Sequence, residues 1–246
     1  MKQLLMKGCG LALCGALFAA QAVAAQEEAQ KPPKHWNGEA GLGYVATTGN
    51  TETTTFAAKL DATHEKENWR NNIAANTLYT KNAQTKTAEK YFISGQSNYR
   101  YSPRMFFFGR ASYEDDRFSG FEYQGTLTAG LGYRFLVDRP DMALDTEAGA
   151  GIKAYREEGR DQESEAIGRL AGKYVWDFRE KSKFTQEVSA DFGDSFDVYK
   201  SVTSLTAQLV GNFAINLGYT VKYTTAVPAG KEKKDTETTI NMVYVF

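Results

Sequence analysis

From Trp36 to Phe246 the chain alternates, residue by residue, between an oily face and a charged or polar one. In the last stretch Thr238, Ile240, Met242, Tyr244 and Phe246 share one side, while Glu237, Thr239, Asn241, Val243 and Val245 share the other. Leu127, Ala129, Leu131, Tyr133 and Phe135 oppose Gly130, Gly132 and Arg134 in the same way. Leu144, Thr146, Ala148, Ala150 and Ile152 likewise oppose Asp145, Glu147, Gly149, Gly151 and Lys153. Period two throws successive side chains to opposite faces of a strand, whereas a helix needs apolar residues recurring at three and four. Twelve such runs are predicted, at 36–47, 53–65, 69–80, 87–101, 104–117, 122–137, 142–156, 163–178, 183–193, 200–212, 216–226 and 236–246. A strand crossing a bilayer needs roughly 9 to 11 residues, so the length accommodates twelve crossings.

The faces decide which way such a sheet closes. A soluble sandwich or lipocalin-like barrel turns its oily side inward and fills its interior with side chains. Here the polar face carries charge along most strands, with Lys59, Asp61, Arg70, Arg100, Arg110, Glu114, Arg134, Asp145, Glu147, Lys153, Arg169, Lys173, Glu187, Asp191 and Lys222 among its members. We therefore expect an all-β fold: a transmembrane, up-and-down antiparallel β-barrel of 12 strands, with lipid outside and a charged lumen. Tight turns are expected at 66–68, 102–104, 138–141, 180–182 and near 214–215. More open loops are expected around 49–50, 82–86, 118–121, 158–162, 194–199 and 227–235. Short turns belong on the periplasmic side and longer loops outside.

Aromatic residues gather near strand ends, where amphipathic rings sit at headgroup depth. Trp36, Trp69, Tyr101, Phe135, Trp176, Phe178 and Phe246 are assigned to the periplasmic girdle, and Tyr44, Tyr79, Tyr113, Tyr155, Phe192 and Tyr223 to the outer one. The terminal Phe246, with Tyr244 and Met242 before it in alternation, resembles the carboxy-terminal signal read by the outer-membrane assembly machinery. That machinery is thus an expected partner, alongside outer-membrane lipid and lipopolysaccharide.

The first segment names a compartment. Lys2 and Lys7 precede an apolar run to Ala20, followed by the small residues Ala22, Ala24 and Ala25. This is the layout of a secretory signal peptide, expected to span residues 1–25 with cleavage after Ala25. A polar leader follows at 26–35, and the barrel at 36–246. Cleavage removes both cysteines, Cys9 and Cys14, and with them any disulfide framework, thiol nucleophile or Cys-ligated metal. The 29 Lys and Arg against 30 Asp and Glu lack the basic surplus of a nucleic-acid binder. The 14 Tyr, 15 Phe and 3 Trp are too many for a disordered chain.

Trp36-Asn37-Gly38, Gly41-Leu42-Gly43-Tyr44 and Thr48-Gly49-Asn50-Thr51-Glu52 resemble the opening of the salt-induced outer-membrane protein family, also called YdiY-like. Tyr113-Glu114-Asp115-Asp116-Arg117-Phe118, Gly130-Leu131-Gly132-Tyr133-Arg134, Pro228-Ala229-Gly230 and Asp235-Thr236 extend the resemblance to Phe246. It implies a barrel in the outer membrane of a Gram-negative bacterium, associated with salt or osmotic stress. It supplies no catalytic or ligand-binding residue.

No enzyme is expected. Barrel hydrolases rest on a His–Ser pair, and the two histidines are His35, in the leader, and His64, at the periplasmic end of a strand. Nucleophile and base must share a hydrogen bond, and such enzymes work near the outer leaflet. Asp191-Phe192-Gly193 lacks every other kinase element. The Gly-x-Gly pairs at 41–43, 130–132 and 149–151 lack the third glycine and the helix of a dinucleotide site, so they are assigned to wall curvature. Glu114-Asp115-Asp116 is too few oxygens for a hard cation. No metal or cofactor is expected. Charges of both signs face the predicted lumen, which suggests a mesh of ion pairs. Arg100, Arg110, Glu114 and Arg134, on adjacent strands, are the candidates for a constriction. The function expected is that of a structural or stress-related envelope barrel, the alternative being a narrow channel for ions or small hydrophilic solutes.

Overall fold

A computed structural model describes residues 36–47, 53–83 and 85–246. The expected signal peptide and leader, and the 48–52 motif, lie outside the described residues. The described chain is twelve strands: β1 Trp36–Thr47, β2 Thr53–Lys66, β3 Trp69–Asn82, β4 Thr85–Arg100, β5 Met105–Asp116 and β6 Phe121–Arg134. They continue as β7 Met142–Glu157, β8 Gln162–Arg179, β9 Ser182–Gly193, β10 Val198–Val210, β11 Phe213–Thr224 and β12 Lys234–Val245. Each pairs antiparallel with its sequence neighbours, and β12 returns to β1, closing the barrel. The strands begin and end within three residues of the positions read from the alternation.

The inside-out distribution is as the faces demand. Leu42, Leu127, Ile152, Ile240 and Met242 are all more than half exposed on the exterior, while Lys153 and Asn216 are 1% exposed in the interior. A chain that folded in water would gain by the reverse, since an exposed apolar band of this extent marks a surface meant for another phase. Among the described residues the buried apolar side chains are few, chiefly Phe106, Phe108, Phe121, Tyr155, Phe196, Ile167 and Val243. The cohesion of the interior comes from ladder hydrogen bonds and from polar side chains that find one another.

We call the end where β1 starts and β12 finishes the proximal end, and the opposite one the distal end. Proximal connections are 67–68, 101–104, 135–141, 180–181 and 211–212, and distal ones include 83–84, 117–120, 158–161, 194–197 and 225–233. Two turns differ from expectation. The last proximal turn lies at Gly211-Asn212, not 214–215, because Gly211 takes φ 58°, which costs a glycine nothing. The 82–86 loop contracts to 83–84, with Ala83 at φ 50°. The longest proximal connection, 135–141, also exceeds several distal ones, so connection length distinguishes the two ends weakly.

Two places set the shape of the wall. Phe106 and Phe108 lie flat on its inner surface, and a Cβ on Gly132 would fall inside the Phe106 ring. A Cβ on Gly149 would meet the Phe108 ring and the Ala129 carbonyl. The missing side chains of β6 and β7 give two rings a seat here. At Gly41 a Cβ would press on the Val243 side chain of β12, so the inner faces of β1 and β12 converge as well. The inward Gly-x-Gly pairs thus stand where a Cβ would meet a neighbouring ring, side chain or carbonyl. The closing ladder is short, with register pairs from Glu39–Val245 to Leu42–Met242 and a reciprocal bonded pair between Gly38 and Phe246.

Aromatic belts form at both ends of the exterior. Trp36, Trp69, Trp176 and Tyr244 are exposed proximally, Tyr44, Tyr113, Phe192 and Tyr223 distally, and Phe246 lies proximally over Gly38. Neighbouring rings touch, as in Trp69–Tyr99 at 5.0 Å, Trp176–Phe178 at 5.8 Å and Phe192–Tyr199 at 6.0 Å. Tyr155 is an exception to the expected belt: it points inward and is buried, because its register partner is the inward Gln124.

Candidate functional site

The lumen holds the chemistry of the described chain, and register dictates which side chains reach it. At the proximal end the Arg134 guanidinium on β6 grips Asp145 on β7 with two hydrogen bonds of 2.7 Å. Arg70, four places away on β3, reaches the same carboxylate at 3.5 Å and Glu65 at 3.2 Å. Nearby turns frame a cleft of about 630 Å³ lined by Asn68, Arg100, Arg134, Arg139 and Asp177. Arg100 donates to the Glu67 carbonyl at 2.8 Å, which holds it at this rim.

Glu39 on β1 is nearly inaccessible and collects partners from three strands. Lys59 on β2 lies 2.6 Å away, Lys183 on β9 3.5 Å, and the Thr206 hydroxyl on β10 3.4 Å. Further pairs occupy the body of the lumen. Arg169 bonds Asp191 at 2.7 Å, Gln96 donates to Glu147 at 2.6 Å, and Lys173 meets Glu187 at 2.6 Å. The last pair points inward, yet its side chains are 40% and 44% accessible to water. An aqueous space therefore lies beside them, enclosed by the wall.

Towards the distal end the lumen is crossed. Glu114 on β5 pairs with Lys222 on β11, and these strands stand six places apart in a ring of twelve, on opposite walls. Lys90 lies 3.9 Å from both Asp116 and Glu237. Lys200 on β10 rests its ammonium 4.4 Å from the centre of the Phe92 ring on β4, another opposed pair of strands. Ionic contacts of this kind are costly to bury and more costly to break once buried, so they hold the two walls at a fixed separation.

A connection then folds into the distal mouth. Phe196, between β9 and β10, packs against Phe121 and Tyr155 at ring separations of 5.2 and 4.9 Å. Lys153 sits beneath, 3.4 Å from the Phe196 ring centre, and donates to the Phe196 carbonyl at 2.8 Å. Its ammonium also contacts Glu165 at 2.8 Å, and Glu165 accepts the Ser195 backbone N–H at 2.7 Å.

The four candidates for a constriction are not brought into one ring. Arg100 lies level with Phe106 and Arg134 beside Arg104, both at the proximal mouth, whereas Glu114 lies eight residues, roughly 26 Å, further along the strand. Arg110 stands between, near Gln96 at 3.4 Å. Position along the strand separates them: β4 and β6 end at Arg100 and Arg134, whereas Glu114 stands near the far end of β5. Glu114 alone belongs to the crossing. Its partners Lys222 and Lys90 and the cap residue Phe196 were not among the candidates, since only closure brings β11 over β5 and nothing in a four-residue loop announces that it turns inward. His64 faces outward beside Trp36, ring centres 4.7 Å apart, as part of the proximal belt. Among the described residues no group of three or more His, Cys, Asp or Glu is arranged to hold a metal.

With this geometry in view, the chain is 27% identical over 240 residues to the "Uncharacterized protein YdiY" of Escherichia coli strain K12, covering 94% of each chain. Among solved structures, the NanC porin covers 86% of this chain and 99% of its own at 10% identity and TM-score 0.49. The translocator domain of the autotransporter NalP from Neisseria meningitidis covers 94% and 95% at 11% identity and TM-score 0.47. These two likenesses concern fold alone. The family model described as "Protein of unknown function, DUF481" matches residues 40–246, and the chain belongs to that family.

Proposed function

We propose that the protein resides in the outer membrane of a Gram-negative bacterium as a structural, stress-related envelope barrel, closed at rest to solutes. The observation that carries this reading is the pairing of Glu114 with Lys222 across opposite walls, with the Phe196 cap above it. The apolar exterior and its two aromatic belts support the membrane address. A further hollow of about 790 Å³ on the exterior, floored by Ala40, Ala58 and Ala75, faces the acyl phase in this reading. The resemblance to the salt-induced family supports the link to salt or osmotic stress, as does a lumen built from charge pairs, whose strength depends on ionic surroundings wherever water reaches them. The closing strand with Met242, Tyr244 and Phe246 serves as the assembly signal, and the chain performs no catalysis.

The test is reconstitution into planar bilayers beside fractionation of cells. Silent bilayers, with the protein in the outer-membrane fraction, are expected. Stable single-channel steps from the unaltered protein would overturn the closed state. A narrow channel is the second reading, favoured by the water-accessible Lys173–Glu187 pair. Ion-selective steps that change in Arg110→Ala would establish it.

A further inference from the structure

We infer that the seat of Phe196 at the distal mouth is a binding site for a peptide-like ligand, one that carries an aromatic ring beside an amide, and that the chain's own 194–197 connection occupies it at rest. The inference rests on the geometry of the cap and not on the closed state of the barrel.

The seat is built on strands. Phe121 on β6 and Tyr155 on β7 stand edge to face with ring centres 5.9 Å apart. Lys153, two residues before Tyr155 and so on the same face of β7, is the register partner of Glu165 on β8, and their charges meet at 2.8 Å. Walls and floor therefore owe their positions to the ladder, which holds a site more firmly than a loop does. Into this seat the connection delivers three groups. The Phe196 ring meets Phe121, Tyr155 and the Lys153 ammonium at 5.2, 4.9 and 3.4 Å. The Phe196 carbonyl accepts a hydrogen bond from Lys153 at 2.8 Å, and the Ser195 backbone N–H donates to Glu165 at 2.7 Å. Ring, acceptor and donor belong to one dipeptide, and the strands read all three.

The occupant is also removable. The β9–β10 ladder begins at Asp191–Val198, so the wall does not require 194–197 to turn inward. Asp194 and Ser195 remain exposed. Asp197, bonded to Gly193, Thr225 and Tyr199, anchors the connection beyond the segment that lifts. An ion pair is moreover a poor floor for permanent packing, since apolar residues of similar volume in its place are often neutral or stabilising. Water takes up both charges when the seat opens, which keeps the cost of vacating it low. A ligand offering the same ring, carbonyl and N–H takes the place of Ser195 and Phe196.

The probe is acetyl-Ser-Phe-amide, which repeats those three groups; acetyl-Ser-Ala-amide lacks the ring. Equilibrium dialysis against the detergent-solubilised full barrel reads binding. Phe196→Gly vacates the seat and should bind the Phe peptide saturably, the Ala peptide about tenfold or more weakly, and the Phe peptide about tenfold or more weakly once Lys153→Met is added. Heat-modifiable gel mobility shows which variants are folded, and Phe121→Ala, which removes a wall and no charge, replaces Lys153→Met if that variant is not. In the unaltered barrel the tethered segment competes at an effective concentration on the order of millimolar. Millimolar Phe peptide should therefore speed protease cutting at 194–197 severalfold, and the Ala peptide should not. The site is overturned if folded Phe196→Gly shows no saturable uptake at tens of millimolar, binds both peptides equally or is indifferent to the loss of Lys153 or Phe121, or if the Phe peptide leaves cutting of the unaltered barrel unchanged. Single-channel steps from the unaltered protein would overturn the proposed closed state and leave this site standing.

Discussion

Replacing Glu114 by Gln tests whether the crossing is held by charge. Glu114 contacts the Lys222 amine directly and has Lys90 and Lys200 within electrostatic reach. The amide has almost the same shape but cannot neutralise any of them. Lys90 keeps Asp116 and Glu237 at 3.9 Å, while Lys222, nearly inaccessible, loses its direct partner. Removing one member of a buried pair costs about 3–5 kcal/mol, most of it the penalty of the charge left behind. At 1.36 kcal/mol per decade, that lowers the folding equilibrium by two to four orders of magnitude. Glu114→Gln with Lys222→Met removes both charges and should recover more than half of the loss, because an apolar side chain of similar length replaces the stranded amine. Urea titration in detergent micelles reads both variants through Trp36, Trp69 and Trp176, whose exposed rings change environment when the barrel opens. A Glu114→Gln protein within 1 kcal/mol of the parent would refute the reasoning. So would a double variant no more stable than the single one.

Other outcomes follow from the same geometry. Lys153→Met strands Glu165 beneath the Phe196 cap; since Ser195 still donates to that carboxylate, a loss of about 3 kcal/mol is expected, together with faster protease cutting at 194–197, measured on intact proteoliposomes. Gly132→Leu drives a side chain into the Phe106 ring and should abolish the heat-modifiable folded band on gels, while adding Phe106→Ala should restore it. Phe246→Ala removes the ring over Gly38 and weakens the proposed assembly signal; a lower yield of folded barrel in outer membranes, with refolding in detergent little changed, is the result to look for.

Strand number, register parity and the identity of the lumen-facing charges were legible because alternation is a local signal. Lys59, Arg110, Glu147 and Lys222 could be assigned inward from their own neighbours. What was not legible depends on closure or on loops. Glu114 and Lys222 are 108 positions apart, and no local pattern says that the tilt of one wall sets them level. Arg100 and Arg134 lie at the rim because they end β4 and β6, which the strand bounds read from the sequence already imply. Tyr155 was assigned to a belt by residue type, although its parity with Lys153 already placed it inside. Phe196 lies in a loop, where period two has nothing to say.

The ladder from Gly38–Phe246 to Leu42–Met242 joins parts of the chain some two hundred residues apart, whereas every other pairing is a hairpin between neighbours. Among the described residues only a few backbone bonds fasten this seam, against ladders that run most of the strand length in the hairpins. The molecule is thus a ribbon of hairpins fastened along one brief zip. Under mechanical or chemical stress that zip parts first and leaves the ribbon whole, so a torn barrel can be refastened without being rebuilt.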